Sequence, residues 1–261
     1  PAGLPVFVFH GGVGSRGFGL LFDELAADLR IRIISPDRPG YGRSDHHPDR
    51  RLLDWPADVS ALGDDLGLDE FAVLGVSGGG PWAAACGAAL QNRLTSVALV
   101  SAMGPPAAPR SIGIRLIVRL ARHAPWLASI PFKRQLRRAR TNPTGATAAR
   151  AKGKAEPEAA MHRSETGRQL NAQTAEAGRQ GVRHAVDELA IVGRDWGFDL
   201  ADIAVPVKVW HGSLDRTISV ESSEYYARTI PEAQLTVRED VGHLSLPVKY
   251  AEEMFAWLTS R

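Results

Sequence analysis

Six short apolar runs punctuate the chain, at about residues 5–9, 31–35, 71–75, 97–101, 206–210 and 234–238. Each is rich in Val, Ile, Leu or Phe and is bounded by turn-forming residues, which predicts a strand. Between them, helical patterns run over about 18–29, 56–66, 80–91, 219–229 and 246–259. Alternating strands and helices predict an α/β fold, a mostly parallel sheet with helices on both faces. No internal repeat is visible. The alternation breaks once. Between Ser101 and Ile203 about a hundred residues separate two consecutive strands, far more than a crossover needs. That segment opens with Pro105-Pro106 and carries helical patterns near 111–122, 130–140, 158–177 and 179–192. The pattern therefore divides the chain into a core, 1–104 with 203–261, and an inserted cap of four helices, 105–202.

Composition narrows the class. A chain of 261 residues with 44% hydrophobic and 23% charged residues can bury a substantial core and is ordinary for a globular domain. One cysteine, Cys86, excludes an intrachain disulfide. It falls in the helix over 80–91 and reads as buried packing. No apolar stretch reaches the ~20 residues of a membrane span, and no signal peptide is visible. A cytoplasmic location is the expectation.

The chemistry starts at Gly75-Val76-Ser77-Gly78-Gly79, directly after the apolar run Phe71–Leu74 and before the helix-forming stretch from Pro81. A strand, a Gly-x-Ser-x-Gly turn and a helix make the context of a nucleophile elbow. Such a turn strains the serine backbone and lifts its hydroxyl above the sheet. Side chains at Gly75 and Gly79 would clash there. A second loop, His10-Gly11-Gly12-Val13-Gly14, follows the first strand. Its glycines let a backbone N–H face a shared cavity, where two preorganised donors would stabilise an oxyanion. The donors are assigned to Gly78 and to Gly12, or to Val13 if the turn shifts by one residue. Val13 and Trp82 are the candidate substrate contacts. Asp215 follows the fifth strand and His243 the sixth. The order Ser77, Asp215, His243, each just past a strand end, is where open α/β sheets place their sites.

These residues resemble the α/β-hydrolase superfamily, in its branch with a helical cap. Asp37-Arg38-Pro39-Gly40-Tyr41-Gly42-Arg43-Ser44 is similar to the family's segment after its fourth strand. Gly75–Trp82 resembles its elbow and Val241-Gly242-His243 its histidine loop. The resemblance covers about 4–104 and 203–261 and implies a Ser77–His243–Asp215 triad needing no cofactor or metal. Serine at position 77 argues against dehalogenase and epoxide-hydrolase chemistry, which use Asp there. The family has two strands ahead of the run at Val6–Phe9, and only five residues precede it here. The chain is expected to be a fragment of a longer protein or to lack an edge of the sheet. Asp37 and Arg38 read as braces of the turn after the second strand.

Charge is uneven within a net +2. No Asp or Glu occurs between Phe71 and Ala155, and twelve Arg or Lys fall between Arg110 and Lys154. Arg115, Arg119 and Arg122 lie at helical spacing opposite Ile114, Leu116, Ile117 and Leu120. The leading reading is a solvated face partly neutralised by Glu156, Glu158 and Glu165, ahead of contact with anionic lipid and attraction of acidic substrates. Nucleic acid is not an expected partner, because the net charge is small and no aromatics interleave the basic run. His162 and His184 read as structural or surface residues.

The expected function is hydrolysis of carboxylic esters with small or medium acyl groups. A second reading is a proline-iminopeptidase-like aminopeptidase, since His10–Gly14 resembles that group's His-Gly-Gly-Pro-Gly with Val13 in place of Pro. That chemistry wants a cap carboxylate for the substrate amine, and Glu156, Glu158, Glu165, Glu176 and Glu188 are available without spacing singling one out. C–C bond hydrolysis and perhydrolysis use the same triad. The non-enzymatic alternative is a small-ligand receptor that keeps the triad and signals through its cap.

Overall fold

Apolar runs this short bury themselves only by pairing, and here they pair side by side. The computed structural model describes residues 3–260. Among these, six strands form one sheet: β1 (Leu4–Phe9), β2 (Ile31–Ile34), β3 (Phe71–Val76), β4 (Leu94–Val100), β5 (Val207–Gly212) and β6 (Gln234–Arg238). Their spatial order is β2-β1-β3-β4-β5-β6, and every pairing is parallel. The central strand β3 is buried at all six positions, as a parallel strand covered on both faces must be. At the edge, β6 has no fully buried residue.

Side chains alternate across the sheet, so each strand feeds two cores. Phe7, Phe9, Val73, Leu99 and Val209 face one side. There they meet Trp55 and Val59 of α2 (Trp55–Asp65), Trp82 to Cys86 of α3 (Gly80–Ala89) and Tyr226 of α10 (Val220–Thr229). Val6, Val8, Leu74, Val76, Val100 and Trp210 face the other side. Their partners are Phe18, Phe22, Ala26 of α1 (Asp23–Asp28), Leu246 of α11 (Ser245–Lys249), and Met254, Phe255 and Leu258 of α12 (Ala251–Thr259). The predicted helices at 18–29 and 246–259 are each broken. The first opens as a 3-10 turn over Arg16–Phe22, and the second kinks at Tyr250. Strand β4 begins three residues before the predicted 97.

The segment between β4 and β5 holds six helices rather than four: α4 (Ile112–His123), α5 (Pro125–Thr141), α6 (Pro143–Ala151), α7 (Glu156–Arg163), α8 (Glu165–Ala177) and α9 (Arg183–Val192). The expected helix at 130–140 is the later part of α5, which carries Pro131 inside it. Helix α6 escaped notice because its Ala- and Thr-rich sequence has no apolar stripe. Its signals are local: Pro143 opens it, and Asn142 caps it by accepting from Gly145 N–H at 2.8 Å. The run 158–177 splits at Ser164, whose backbone is extended. Residues 179–182 form a turn in which Gly181 takes φ +105°, so α9 starts later than predicted. On α4 the apolar stripe is narrower than expected, because Leu116 is 57% exposed.

Two tight backbone approaches lie under the elbow. A Cβ on Gly75 would stand 2.5 Å from Gly79 O, and one on Gly79 would stand 2.3 Å from Phe9 O. Gly113, on exposed α4, has open space. Gly75→Ala is expected to destabilise by about 1–3 kcal/mol through overpacking. Gly113→Ala should gain about 0.5–1 kcal/mol from lost chain entropy. Thermal unfolding followed by circular dichroism checks both: Tm falls in the first variant and rises in the second.

Candidate active site

Strand β3 ends at Val76 and α3 begins at Gly80, so the chain turns within Ser77–Gly79. Ser77 takes φ +56°, a left-handed conformation that costs a non-glycine residue about 1–3 kcal/mol. Its carbonyl accepts from Met103 N–H at 3.0 Å, which ties the turn to the end of β4. Its hydroxyl donates to His243 Nε2 at 2.8 Å. His243 Nδ1 in turn lies 2.7 Å from Asp215 Oδ2. A carboxylate can only accept, so Nδ1 carries the proton and Nε2 is free to take one from Ser77.

Asp215 sits in the loop after β5, fully buried. Its Oδ1 accepts from the N–H groups of Thr217 at 2.7 Å and Ile218 at 3.1 Å. Burial pushes its carboxyl pKa up, but the His243 imidazole and these hydrogen bonds outweigh it, and the net shift is downward. His211, at the end of β5, lies 3.8 Å from the same Oδ2 and is tied through Nδ1 to Ser223 Oγ at 2.8 Å. Burial drives the His211 pKa down; at 2.7 Å against 3.8 Å, His243 is the histidine hydrogen-bonded to Asp215.

The Gly11–Gly14 loop follows β1 and turns on a Gly14 N–H bond to Gly11 O at 3.0 Å. A Cβ on Gly11 would stand 3.8 Å from Ser77 Oγ, and one on Gly78 would stand 3.0 Å from Gly12 N. Gly12 and Gly78 are thus neighbours beside the hydroxyl. The loop is held from behind: Arg38 donates to His10 O at 2.6 Å, and Tyr41 donates to Gly12 O at 3.1 Å. Arg38 is fully buried and grips Glu188 of α9 with two bonds, Nε to Oε2 at 2.9 Å and Nη2 to Oε1 at 2.8 Å. Arg50 Nη2 lies 3.7 Å from Glu188 Oε2. His184 packs against Tyr41, and burial lowers its pKa to about 4. Asp37 braces its turn as expected, accepting from the N–H groups of Arg16 at 2.7 Å and Arg43 at 3.1 Å. Arg38 does more than brace, since it joins the glycine loop to a helix of the insertion.

A second carboxylate of the insertion holds the histidine loop. Glu158 of α7, 3% exposed, accepts from Leu244 N–H at 3.0 Å and Ser245 N–H at 2.7 Å, with His162 Nε2 at 3.3 Å. Burial pushes its pKa up, but His162 and these N–H donors prevail and bring it down to about 2. His162 and His184 are therefore both buried, not on the surface. Glu156 and Glu165 pair with Arg163 and Arg168 on their own helices. Of the three acids expected to neutralise the basic run, only Glu158 reaches it, 3.9 Å from Lys154.

Ser77 and His243 open into a cavity of about 270 Å³. Gly12, Val13 and Gly78 border it, and so do Phe18, Met103, Ile117, Phe132, Leu170 and Ile218. Trp82 does not. Its ring is wholly buried against Trp55, and the Arg50 guanidinium lies 4.6 Å from its centre. An indole on α3 points into the core beneath the sheet end, so the expected substrate contact there is corrected to a support. Cys86 is buried on the same helix, and burial raises its pKa well above the usual thiol value. Among the described residues, no group of three or more His, Cys, Asp or Glu side chains could hold a metal ion. None of their helices is long and apolar enough to cross a membrane.

A family model described as the alpha/beta hydrolase fold matches residues 5–250. The chain belongs to that family. Membership makes it a hydrolase at the level of the family and does not specify the bond it cleaves. No curated protein matches by sequence. Solved structures of similar shape include a thermophilic esterase from Thermogutta terrifontis, 24% identical with TM-score 0.72, covering 99% of this chain and 90% of that one. Esterase RhEst1 from Rhodococcus sp. ECU1013 is 24% identical with TM-score 0.68, over 99% and 91%. A bromoperoxidase from Bacillus anthracis is 20% identical with TM-score 0.71, over 98% and 91%. At these identities they show a shared fold.

Spacing could not single out Glu158 or Glu188 in this hydrolase. Each meets partners about 85 to 150 positions away in the chain, beyond any local pattern. Because the Glu158 pKa is depressed when folded, its contribution is present above the unfolded value and lost as pH falls. The shift from the ordinary value of 4.5 to about 2 corresponds to about 3 kcal/mol. Urea unfolding should show Glu158→Gln less stable than the parent at pH 7. That gap should narrow as pH falls from about 4.5 towards 2, because the unfolded chain takes up a proton there that the folded carboxyl still resists.

Proposed function

We propose that the protein is a serine hydrolase of carboxylic esters with small or medium acyl groups. The observation that carries this reading is the unbroken hydrogen-bonded chain from Ser77 Oγ through His243 to Asp215. Ser77 Oγ attacks the ester carbonyl as His243 Nε2 takes its proton. Asp215 holds the imidazole tautomer and stabilises the imidazolium. The negative charge that develops on the carbonyl oxygen goes to the N–H groups of Gly12 and Gly78, worth about 3–4 kcal/mol per donor. The tetrahedral intermediate collapses as its bond to the alcohol oxygen breaks. His243 gives that oxygen the proton, and an acyl–Ser77 ester remains. Water, deprotonated by His243, then adds to the acyl carbonyl and releases the acid and free serine.

Residues 1–104 and 203–261 act as the catalytic core, and 105–202 as a cap. Cap residues Ile117, Phe132 and Leu170 exclude water and shape the acyl pocket. The esterases of similar shape favour ester hydrolysis as the reaction.

A specific observation disfavours the aminopeptidase reading. Among the described residues Glu188 is the one carboxylate bordering the cavity, and both its oxygens are bound to Arg38. A substrate ammonium would have to compete with a buried, fully charged guanidinium. Glu176 pairs with Arg16 and Arg179 instead.

A fluorophosphonate probe should label Ser77. Ser77→Ala should lower p-nitrophenyl butyrate hydrolysis by about 10³-fold or more. Unchanged turnover in that variant would defeat the assignment. Labelling with only one turnover per chain would favour the receptor reading.

A further inference from the structure

Arg150, near the end of α6, borders the same cavity as Ser77 and His243. Among the described residues it is the one Lys or Arg that does so. Its guanidinium makes one hydrogen bond, Nη2 to Thr174 Oγ1 at 2.5 Å, and among the described residues it joins no ion pair. Thr174 brings no charge, since its hydroxyl lies 3.2 Å from Leu170 O. Gln173, beside it in the wall, uses its amide nitrogen on Gly17 O at 3.1 Å. Burial pulls the Arg150 pKa down with no acid to restore it. The cavity's only carboxylate, on Glu188, is already neutralised by Arg38.

A cation withdrawn from water without a counter-charge is costly. Arg50 is buried with Nη1 and Nη2 making no hydrogen bond, though Nη2 lies 3.7 Å from Glu188 Oε2; two other arginines find hydrogen-bond partners within the protein. Arg38 has Glu188, while Arg110 has the carbonyls of Gly104 and Val192. Arg150 keeps most of its five donors uncommitted. Its planar fork matches the two oxygens of a carboxylate. The cavity that Arg150 and Ser77 both border is lined largely by apolar residues, Phe18, Met103, Ile117 and Leu170 among them. A ligand suited to this space has an ester at one end, a short hydrocarbon spacer, and an anionic group at the other.

We infer that the cavity takes monoesters of dicarboxylic acids, with Arg150 receiving the free carboxylate while Ser77 attacks the ester. The inference rests on the ester-hydrolase reading and adds a substrate class to it. The covalent steps are unchanged, and the distal carboxylate stays ionised and takes no part in bond making.

The test compares mono-p-nitrophenyl glutarate with p-nitrophenyl butyrate, substrates that differ chiefly by a terminal carboxylate. The quantity read is the ratio of their kcat/KM values. That ratio is independent of how much of a variant is folded. It should exceed 10 in the parent, fall about 10- to 100-fold in Arg150→Met, and recover in part in Arg150→Lys, as expected for one charge-assisted pair. A parent ratio near or below 1, or a ratio unmoved in Arg150→Met, would overturn the inference while leaving the ester-hydrolase reading intact. A readout without turnover separates the two further. Glutarate should raise the Tm of Ser77→Ala and not of Ser77→Ala/Arg150→Met. Hydrolysis of neither ester with that Tm shift present would sink the hydrolase reading alone, and equal shifts in the two variants would sink the carboxylate site.

Discussion

A strand cannot become a helix within three residues unless its backbone goes left-handed and its neighbours carry no side chains. That constraint governs this molecule. Ser77 takes the left-handed conformation, and Gly75 and Gly79 allow the strand β3, the helix α3 and the end of β1 to close around it. The closeness has a second effect. The Gly11–Gly14 loop follows β1, so packing Gly79 against Phe9 also brings Gly12 beside Gly78. One steric requirement thus places a hydroxyl and two backbone amides around one point.

The insertion is joined to that point by two buried carboxylates. Glu188 meets Arg38, which holds the loop of Gly12; Glu158 meets the backbone N–H groups just after His243. A carboxylate buried this deeply needs several donors to stay ionised; Glu188 finds them on Arg38, behind the glycine loop, and Glu158 on the backbone just after His243. Displacing the helices would leave each carboxylate or its partner unsatisfied. The insertion and the loops that it holds are therefore energetically coupled.

The arginines sort into two kinds. Arg163 and Arg168 pair with acids on their own helices at the surface, where such pairs contribute little. Arg38 of the core is fully buried and Arg150 of the insertion partly so, and there the presence or absence of a partner matters. The first has a protein carboxylate; the second faces the cavity without one.

The six strands, the elbow and the order Ser77, Asp215, His243 were legible from the chain alone. Apolar runs, glycines at fixed offsets and residues just past strand ends are local patterns with local causes. The helices of the insertion were legible only coarsely. The break at Ser164 and the Ala-rich α6 are set by packing and caps, not by an apolar period. Trp82 shows the limit most clearly: its place beside the elbow suggested a cavity wall, yet its side of α3 faces the core. The partners of Arg38, Glu158, Glu188 and Arg150 were decided by the tertiary structure. A strand or turn is a short-range balance of backbone sterics and burial. The charge state and role of a buried ion depend on groups that only chain folding brings within a few ångströms.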